Sequence, residues 1–187
     1  MVLHLYGGGF SRALMPRWYM LEKQIEHRLI NLDMRAREHK TDQYLQINPF
    51  GKLPALTDDS EGLVIFETGA ILQYLSEYWS DEMTTKLIKS QIIQWITFAN
   101  STLSGALFVP SLRQKDFDSV IAVLDTIYST RKYLVGESWT AADCAVCGYL
   151  AYIPLFARDA DLSAFAAVSR KITEVQDNPR YQKAMTP

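Results

Sequence analysis

The sequence predicts two units, an α/β domain over residues 1–80 built on a small mixed sheet and an all-α domain over residues 81–187. Three observations lead there. Up to about residue 80, short strand-like apolar runs interleave with runs at helical spacing. After Ser80-Asp81 the strand-like runs vanish. The later segments then repeat apolar residues every three or four positions, as amphipathic helices do.

The elements follow in order. Residues 2–6 (VLHLY) alternate as a strand does, 12–23 carry apolar residues at helical spacing, and 28–33 (RLINLD) form a second strand. Residues 53–57 and 63–66 flank DDSEG, a turn-rich linker suited to a hairpin. Residues 68–79 place Ile71, Leu72, Leu75 and Trp79 on one helical face, giving β-α-β-(α)-β-β-α. In the second half, 84–103 and 116–133 read as amphipathic helices. Thr140 with Asp143 three positions later is a variant capping box before an apolar run that ends at Pro154. That run is apolar all round, which marks the buried centre of the second domain. Asn178-Pro179 reads as the N-cap and first position of a last short helix.

Of the 187 residues 48% are apolar and 21% charged, ample for a buried core, and the net charge of −2 argues against a nucleic-acid or membrane surface as the main partner. The chain opens without a basic patch and apolar run, and no apolar stretch approaches the ~20 residues a bilayer needs. A cytoplasmic protein is expected. The two cysteines, Cys144 and Cys147, fall inside the apolar run and are expected to serve packing, not a disulfide framework.

The stretch HLYGGGFSRAL, residues 4–14, ends a strand in three glycines, then Ser11 and Arg12. A dinucleotide fingerprint needs a glycine where Arg12 stands, and the Gly-Lys-Ser/Thr of a P-loop is absent. A redox site at such a turn needs a cysteine pair, and here it reads GGFS. A site for a ligand's thiol remains. Lowering a thiol pKa by two takes ~2.7 kcal/mol of preference for the anion. One hydrogen bond to a charged group supplies ~1.5–3 kcal/mol, and a helix N-terminus or nearby cation ~0.3–1 kcal/mol. Ser11 with Arg12 beside it is sufficient for this, and the glycines would let the thiol approach the backbone. A plain N-cap explains Ser11 equally well. Pro16 conflicts with a helix beginning at Ser11, because a proline five residues in removes a hydrogen bond.

The segment INPFGKLPALTDDSEGLVIFETGAILQYLSE, residues 47–77, narrows the ligand. Leu53-Pro54 sits where a strand should begin, and a cis peptide there would expose the Leu53 backbone to an extended peptide ligand. Glu67-Thr68 opens a helix whose N–H groups can bind a carboxylate, while Glu67 pairs with an ammonium. Lys52, with His39 and Lys40, can hold a second carboxylate. A ligand with an amino-acid head, a thiol middle and a carboxylate tail fits, and glutathione has that form.

NPFGKLPAL followed by FETGAILQYL resembles the glutathione-site segment of the cytosolic glutathione transferase superfamily, and EHK at 38–40 and SWTAAD resemble further landmarks. The LYGGGFSRA opening and short second domain look most like the bacterial, cyanobacterial-type (chi) members. The resemblance implies a thioredoxin-like N-terminal domain, an all-helical C-terminal domain and a homodimer. Carried over by position, Glu67 and Thr68 hold the γ-glutamyl end and Leu53 pairs with the cysteinyl backbone. His39, Lys40 and Lys52 hold the glycyl carboxylate, Pro54 resembles the cis-proline, and Asp143 the structural capping residue. The opening stretch departs from the family, its loop looking shortened by glycines. Ser11 is the first choice for thiolate stabilisation, assisted by Arg12, with Tyr6 second.

The implied activity is conjugation of glutathione, as co-substrate and without a metal, to small hydrophobic electrophiles, with isothiocyanates suggested by the chi-type resemblance and detoxification as the role. Aromatic side chains from 95–117 and 149–156 are expected to wall the electrophile pocket. The alternatives are a non-catalytic interaction or regulatory module of the same fold, or a glutathione-dependent isomerase or peroxidase. The preserved Lys52, Glu67 and Thr68 favour an enzyme.

Overall fold

Strand β1 (Leu3–Gly7) is the pivot of the first half of the computed structural model, which describes residues 2–8 and 11–186. Gly9, the third glycine of the opening loop, lies outside the described residues. β1 pairs in parallel with β2 (His27–Asn31) on one side and antiparallel with β3 (Ala55–Asp58) on the other; β4 (Leu63–Phe66) pairs with β3, so the order is β2-β1-β3-β4. Leu3 and Leu5 are fully buried while His4 and Tyr6 between them are half-buried on the opposite face. The hairpin turn is tied by Asp58, whose carboxylate accepts from the Ser60 N–H (2.9 Å) and the Tyr74 hydroxyl (2.6 Å).

Helix α1 (Leu14–Glu22) begins three residues after Ser11. Pro16 therefore stands in the first turn, where its missing N–H has no partner to lose, and the conflict seen in the sequence disappears. The helix buries Met15, Trp18 and Tyr19 against α3 (Thr68–Tyr78), α7 (Ala141–Leu150) and α10 (Pro179–Met185). Helix α3 in turn buries Ile71, Leu72 and Leu75. A four-residue helix, α2 (Asp42–Leu45), follows a 3₁₀ turn at Glu38–Lys40.

The second half is helical throughout. Helix α4 (Lys86–Phe98) runs through a π turn (Ala99–Leu103) into α5 (Ser104–Phe108), farther than the 84–103 read from the pattern. Helix α6 (Pro110–Thr130) then leaves at 113° and starts six residues before the expected 116, because Pro110 supplies a pre-set first position. Every residue of α7 is buried, and its capping box is complete, with Asp143 accepting from the Thr140 N–H at 3.0 Å. A short α8 (Ile153–Phe156) carries Pro154 in its first turn. Helix α9 (Ala166–Gln176) is one the sequence reading passed over, although Ala167, Val168, Ile172 and Val175 hold its buried face. Asn178 caps α10, accepting from Arg180 and Tyr181 N–H groups at 2.8 and 3.1 Å.

Cys144 and Cys147 are buried; the Cys144 thiol donates to the Met15 carbonyl (3.2 Å), and burial pushes the Cys147 thiol up to about 12. No single helix among the described residues is long and apolar enough to cross a membrane.

Candidate functional site

Strand register gathers the predicted residues at one end of the sheet. Tyr6 stands opposite Ala55, and Ala55 opposite Phe66. The loop after β1, the Leu53-Pro54 bond before β3 and the Glu67-Thr68 step after β4 therefore lie side by side. The Leu53-Pro54 peptide is cis. Among the described residues, the Leu53 backbone makes no hydrogen bond.

Ser11 belongs to the turn before α1, not to its N-cap; that position falls to Ala13, which has no side-chain cap. The Ser11 hydroxyl oxygen accepts from the N–H groups of Gly8 (3.3 Å) and Ala13 (3.4 Å), which leaves its proton to donate outward. The Ser11 carbonyl accepts from the buried Tyr152 hydroxyl at 3.1 Å. Gly8 is also required by the packing of the strand ends. A Cβ on Gly8 would lie 2.1 Å from the Leu32 carbonyl oxygen, so β1 and the end of β2 can close only around a glycine.

Arg12 lays its guanidinium over the Tyr149 ring at 5.6 Å and has no carboxylate within ion-pair reach among the described residues. Burial raises the pKa of the Tyr149 hydroxyl, with Arg12 opposing and Glu67 reinforcing the shift, so both charges act on one ring. That hydroxyl donates to Asn100 Oδ1 at 3.1 Å, inside the π turn, and Asn100 in turn lies against Gly69 of α3. Tyr6 is placed elsewhere. Its ring packs on Tyr44, 5.8 Å between centroids, on the sheet face opposite Leu5. A Cβ on Gly7 would point toward Ser11 Oγ at 3.8 Å, so the Ser11 hydroxyl and the Tyr6 ring occupy opposite sides of β1.

Glu67 is exposed and held at φ +73° and ψ 127°, a backbone state that costs a non-glycine residue about 1–3 kcal/mol. Its carbonyl accepts the first bond of α3, from Ile71 N–H at 3.0 Å, and Thr68 behind it is buried. This turn places Glu67 and the unmatched N–H groups of α3 at the end of the sheet that also holds the Leu53-Pro54 bond.

Lys52 is exposed, and its carbonyl accepts from the Tyr44 hydroxyl (2.6 Å) and from Asn48 Nδ2 (2.8 Å). Gly51, at φ +54°, has no room for a side chain, since a Cβ would fall 2.8 Å from both the His39 carbonyl oxygen and Lys40 Nζ. That closeness seats Gly51, the residue before Lys52, against the 38–40 turn. The Lys40 ammonium donates to the Phe50 carbonyl at 3.0 Å, and His39 Nδ1 is buried without a hydrogen-bond partner among the described residues. The sequence did not single out Tyr44 and Asn48; the Asn-Pro turn at 48–49 was the available signal.

A cavity of about 870 Å³ opens beside Arg12, floored by Leu107, Phe108, Phe117, Tyr149 and Tyr152. Its rim is charged, which the expected apolar pocket is not. The cause is that α6 presents Arg113 and Asp118 alternately with its buried face, while Asp159 and Asp161 follow α8. Trp95 and Phe98, expected among its walls, face instead a separate groove of about 400 Å³ with Val120 and Val123. Among the described residues no group of three or more His, Cys, Asp or Glu side chains could hold a metal ion.

Residues 1–77 match the model of the glutathione S-transferase N-terminal domain. By this match, residues 1–77 form a glutathione S-transferase N-terminal domain. Over its length the chain is 28% identical to glutathione S-transferase F11 of Arabidopsis thaliana, with 99% of this chain and 98% of that one covered. It is 29% identical to elongation factor 1-gamma-A of Xenopus laevis, covering 79% of this chain but only 37% of that protein. The fold matches the crystal structure of a glutathione transferase homologue from Lodderomyces elongisporus with two glutathione molecules per subunit, at a TM-score of 0.81, 22% identity and complete coverage of both chains. A thioredoxin-like α/β domain followed by a mostly helical domain is thus the architecture of this chain, and it is the glutathione transferase fold.

Proposed function

We propose that the protein is a glutathione transferase. The observation that carries this reading is the Ser11 hydroxyl, its oxygen engaged by two backbone N–H groups and its proton left to donate, beside the unpaired Arg12 at the edge of a cavity. Glu67 and the α3 N-terminus take the γ-glutamyl end, the Leu53 backbone pairs with the cysteinyl unit, and Lys52 with His39 and Lys40 takes the glycyl carboxylate. The tripeptide then lies along the end of the sheet with its sulfur at Ser11. The Ser11 O–H and Arg12 favour the thiolate, which attacks the electrophilic carbon of an acceptor in the cavity; the new C–S bond forms as the leaving group departs with its electron pair or, with an isothiocyanate, as the C=N electron pair moves to the nitrogen, which takes a proton. Glutathione in the Lodderomyces structure supports the choice of co-substrate.

The reading includes small hydrophobic acceptors, isothiocyanates among them, a detoxifying role, a cytoplasmic setting and kinship to the cyanobacterial-type members. It also includes a homodimer, for which Tyr78 and Leu87, each 68% exposed beside the junction of the two domains, are the support; light scattering at micromolar concentration reads this directly.

The test is the titration of bound glutathione by thiolate absorbance. Ser11→Ala should raise the thiol pKa by about one to two pH units, the equivalent of one hydrogen bond to a charge, with glutathione affinity little changed. Tyr6→Phe should leave the titration in place. An unshifted Ser11→Ala titration overturns the assignment. A second reading, a non-catalytic interaction module, has the elongation factor relative as its support. It predicts a chain that shows no glutathione binding by calorimetry and no turnover of 1-chloro-2,4-dinitrobenzene.

A further inference from the structure

The cavity beside Arg12 holds a second guanidinium, in a setting unlike a solvated rim charge. The Arg113 side chain is only 23% exposed, lies over the Phe117 ring at 5.8 Å and reaches Asp159 at 2.8 Å. Asp159 is its opposite, 81% exposed on the segment after α8, and Arg113 holds its carboxyl below the usual carboxylate range. The remaining charges of the rim, Lys115, Asp118 and Asp161, are all exposed, and Asp161 is turned back onto the Ser163 N–H at 2.8 Å. The inward-facing charge of the acceptor cavity is therefore cationic, set above the aromatic floor of Phe108, Phe117 and Tyr149.

We propose that Arg113 is an anion anchor for the acceptor, and that the cavity takes aromatic electrophiles carrying a carboxylate, which displaces Asp159 from the guanidinium. The exchange is cheap because an ion pair with so exposed a partner contributes little, whereas a carboxylate on an aryl ring arrives with its apolar body already seated on the floor. A guanidinium stacked on a ring keeps its planar donor fork free for such a bidentate partner. Asp159 then acts as a resident competitor that any neutral acceptor leaves in place. The inference rests on the transferase reading for its chemistry but not for its binding.

The experiment compares two acceptors, 4-chloro-3-nitrobenzoate and its methyl ester, each rate taken relative to its uncatalysed reaction with glutathione. In each the thiolate adds at the carbon bearing chlorine and chloride leaves. The acid-to-ester ratio of kcat/KM should fall about tenfold in Arg113→Gln, the scale of one lost hydrogen-bonded charge contact. It should rise several-fold in Asp159→Asn, which removes the competitor. Opposite signs from the two variants distinguish an anchor from a strap that merely holds the 157–161 segment to α6. Equal losses for acid and ester in both variants, or a ratio that neither moves, overturn the proposal. A second arm titrates 2-naphthoate and 2-naphthamide into each protein by calorimetry, and the same pattern of preference is expected. Absence of turnover with both acceptors would count against the transferase reading, while the naphthoate arm still decides on Arg113.

Discussion

Removing the hydroxyl of Tyr152 isolates the contact by which the helical domain holds the serine loop. In Tyr152→Phe the ring keeps its place between Tyr149 and Phe156, at 6.5 and 5.4 Å, so the change is confined to one hydrogen bond of 3.1 Å to the Ser11 carbonyl. A buried acceptor left without its donor costs ~1–3 kcal/mol. The Ser11 carbonyl keeps the Leu14 N–H at 3.3 Å and Ser11 is only half-buried, so a loss near the lower end, about 1 kcal/mol, is expected. For a chain of this size that lowers Tm by roughly 2–4 °C. The chemical consequence is separate. With its carbonyl held only by the Leu14 N–H, the turn fixes the Ser11 hydroxyl less tightly against the bound sulfur, and the thiol pKa should rise by part of the Ser11→Ala effect. The affinity for glutathione should hold, since Glu67, Thr68 and Lys52 are untouched. The assay is thiolate absorbance against pH for the wild type, both single variants and the double variant. Tyr152→Phe should have no further effect once Ser11 is alanine. An equal shift in the serine and alanine backgrounds would refute the reasoning, because Tyr152 would then act on the sulfur by a route that bypasses Ser11.

Two further outcomes follow from strain and burial. Glu67→Gly should raise stability by about 0.5–2 kcal/mol, since glycine accepts φ +73° and only part of the gain is lost to unfolded-state entropy, while glutathione affinity falls about tenfold or more; denaturant unfolding and calorimetry read the two, and a less stable variant would sink the strain argument. Asp143 is the pH case. Burial pushes its carboxyl up to about 6 against the three hydrogen bonds it accepts from Leu134 and Thr140, so between about pH 4 and 6 the folded chain binds a proton that the unfolded chain lacks. Stability from this group therefore rises as pH falls through that window. The stability gap between wild type and Asp143→Asn should widen by about 2–3 kcal/mol from pH 7 to pH 4, and a constant gap would mean the carboxylate stays ionised throughout.

What the sequence made legible was whatever depends on local pattern. The hairpin around DDSEG, the capping box at Thr140 and Asp143 and the Asn178 cap all stand where the spacing put them, because each is decided by residues within a few positions of one another. The anchors of the candidate site at Leu53-Pro54 and Glu67-Thr68 were legible for the same reason. Helix α9 was missed because its apolar residues, Ala167, Val168, Ile172 and Val175, are set among polar neighbours on a thin stripe. The steric need for glycine at position 8 was not legible because it comes from Leu32, just past the end of β2, and nothing near position 8 announces a carbonyl that will pass there. Arg113 and Asp159 could not be paired from the sequence, separated as they are by the rest of α6 and the whole of α7 and α8, whose packing directions the pattern does not state.

The same distinction explains how the thiol site is built. A strand ending in glycines cannot by itself hold a serine and an arginine in place, since glycine leaves the backbone the most freedom to lose. Helix α7 and the turn that follows supply the missing constraint. Tyr149 and Tyr152 lie three positions apart and so project from one side of that segment, one ring beneath the Arg12 guanidinium and one hydroxyl on the Ser11 carbonyl. Every residue of α7 is buried and its start is locked by the Thr140–Asp143 box, so Tyr149 within α7 and Tyr152 two residues past its end are presented by a fully buried element of the second domain. Arg12 gains from this twice. It is oriented by the ring, and the apolar ring face removes part of its hydration, which strengthens its action on a nearby anion. The residues proposed to recognise glutathione are furnished by the first domain alone, whereas the geometry that would ionise the sulfur depends on the second. Damage to the α7 buttress should therefore leave glutathione bound and lose the thiolate.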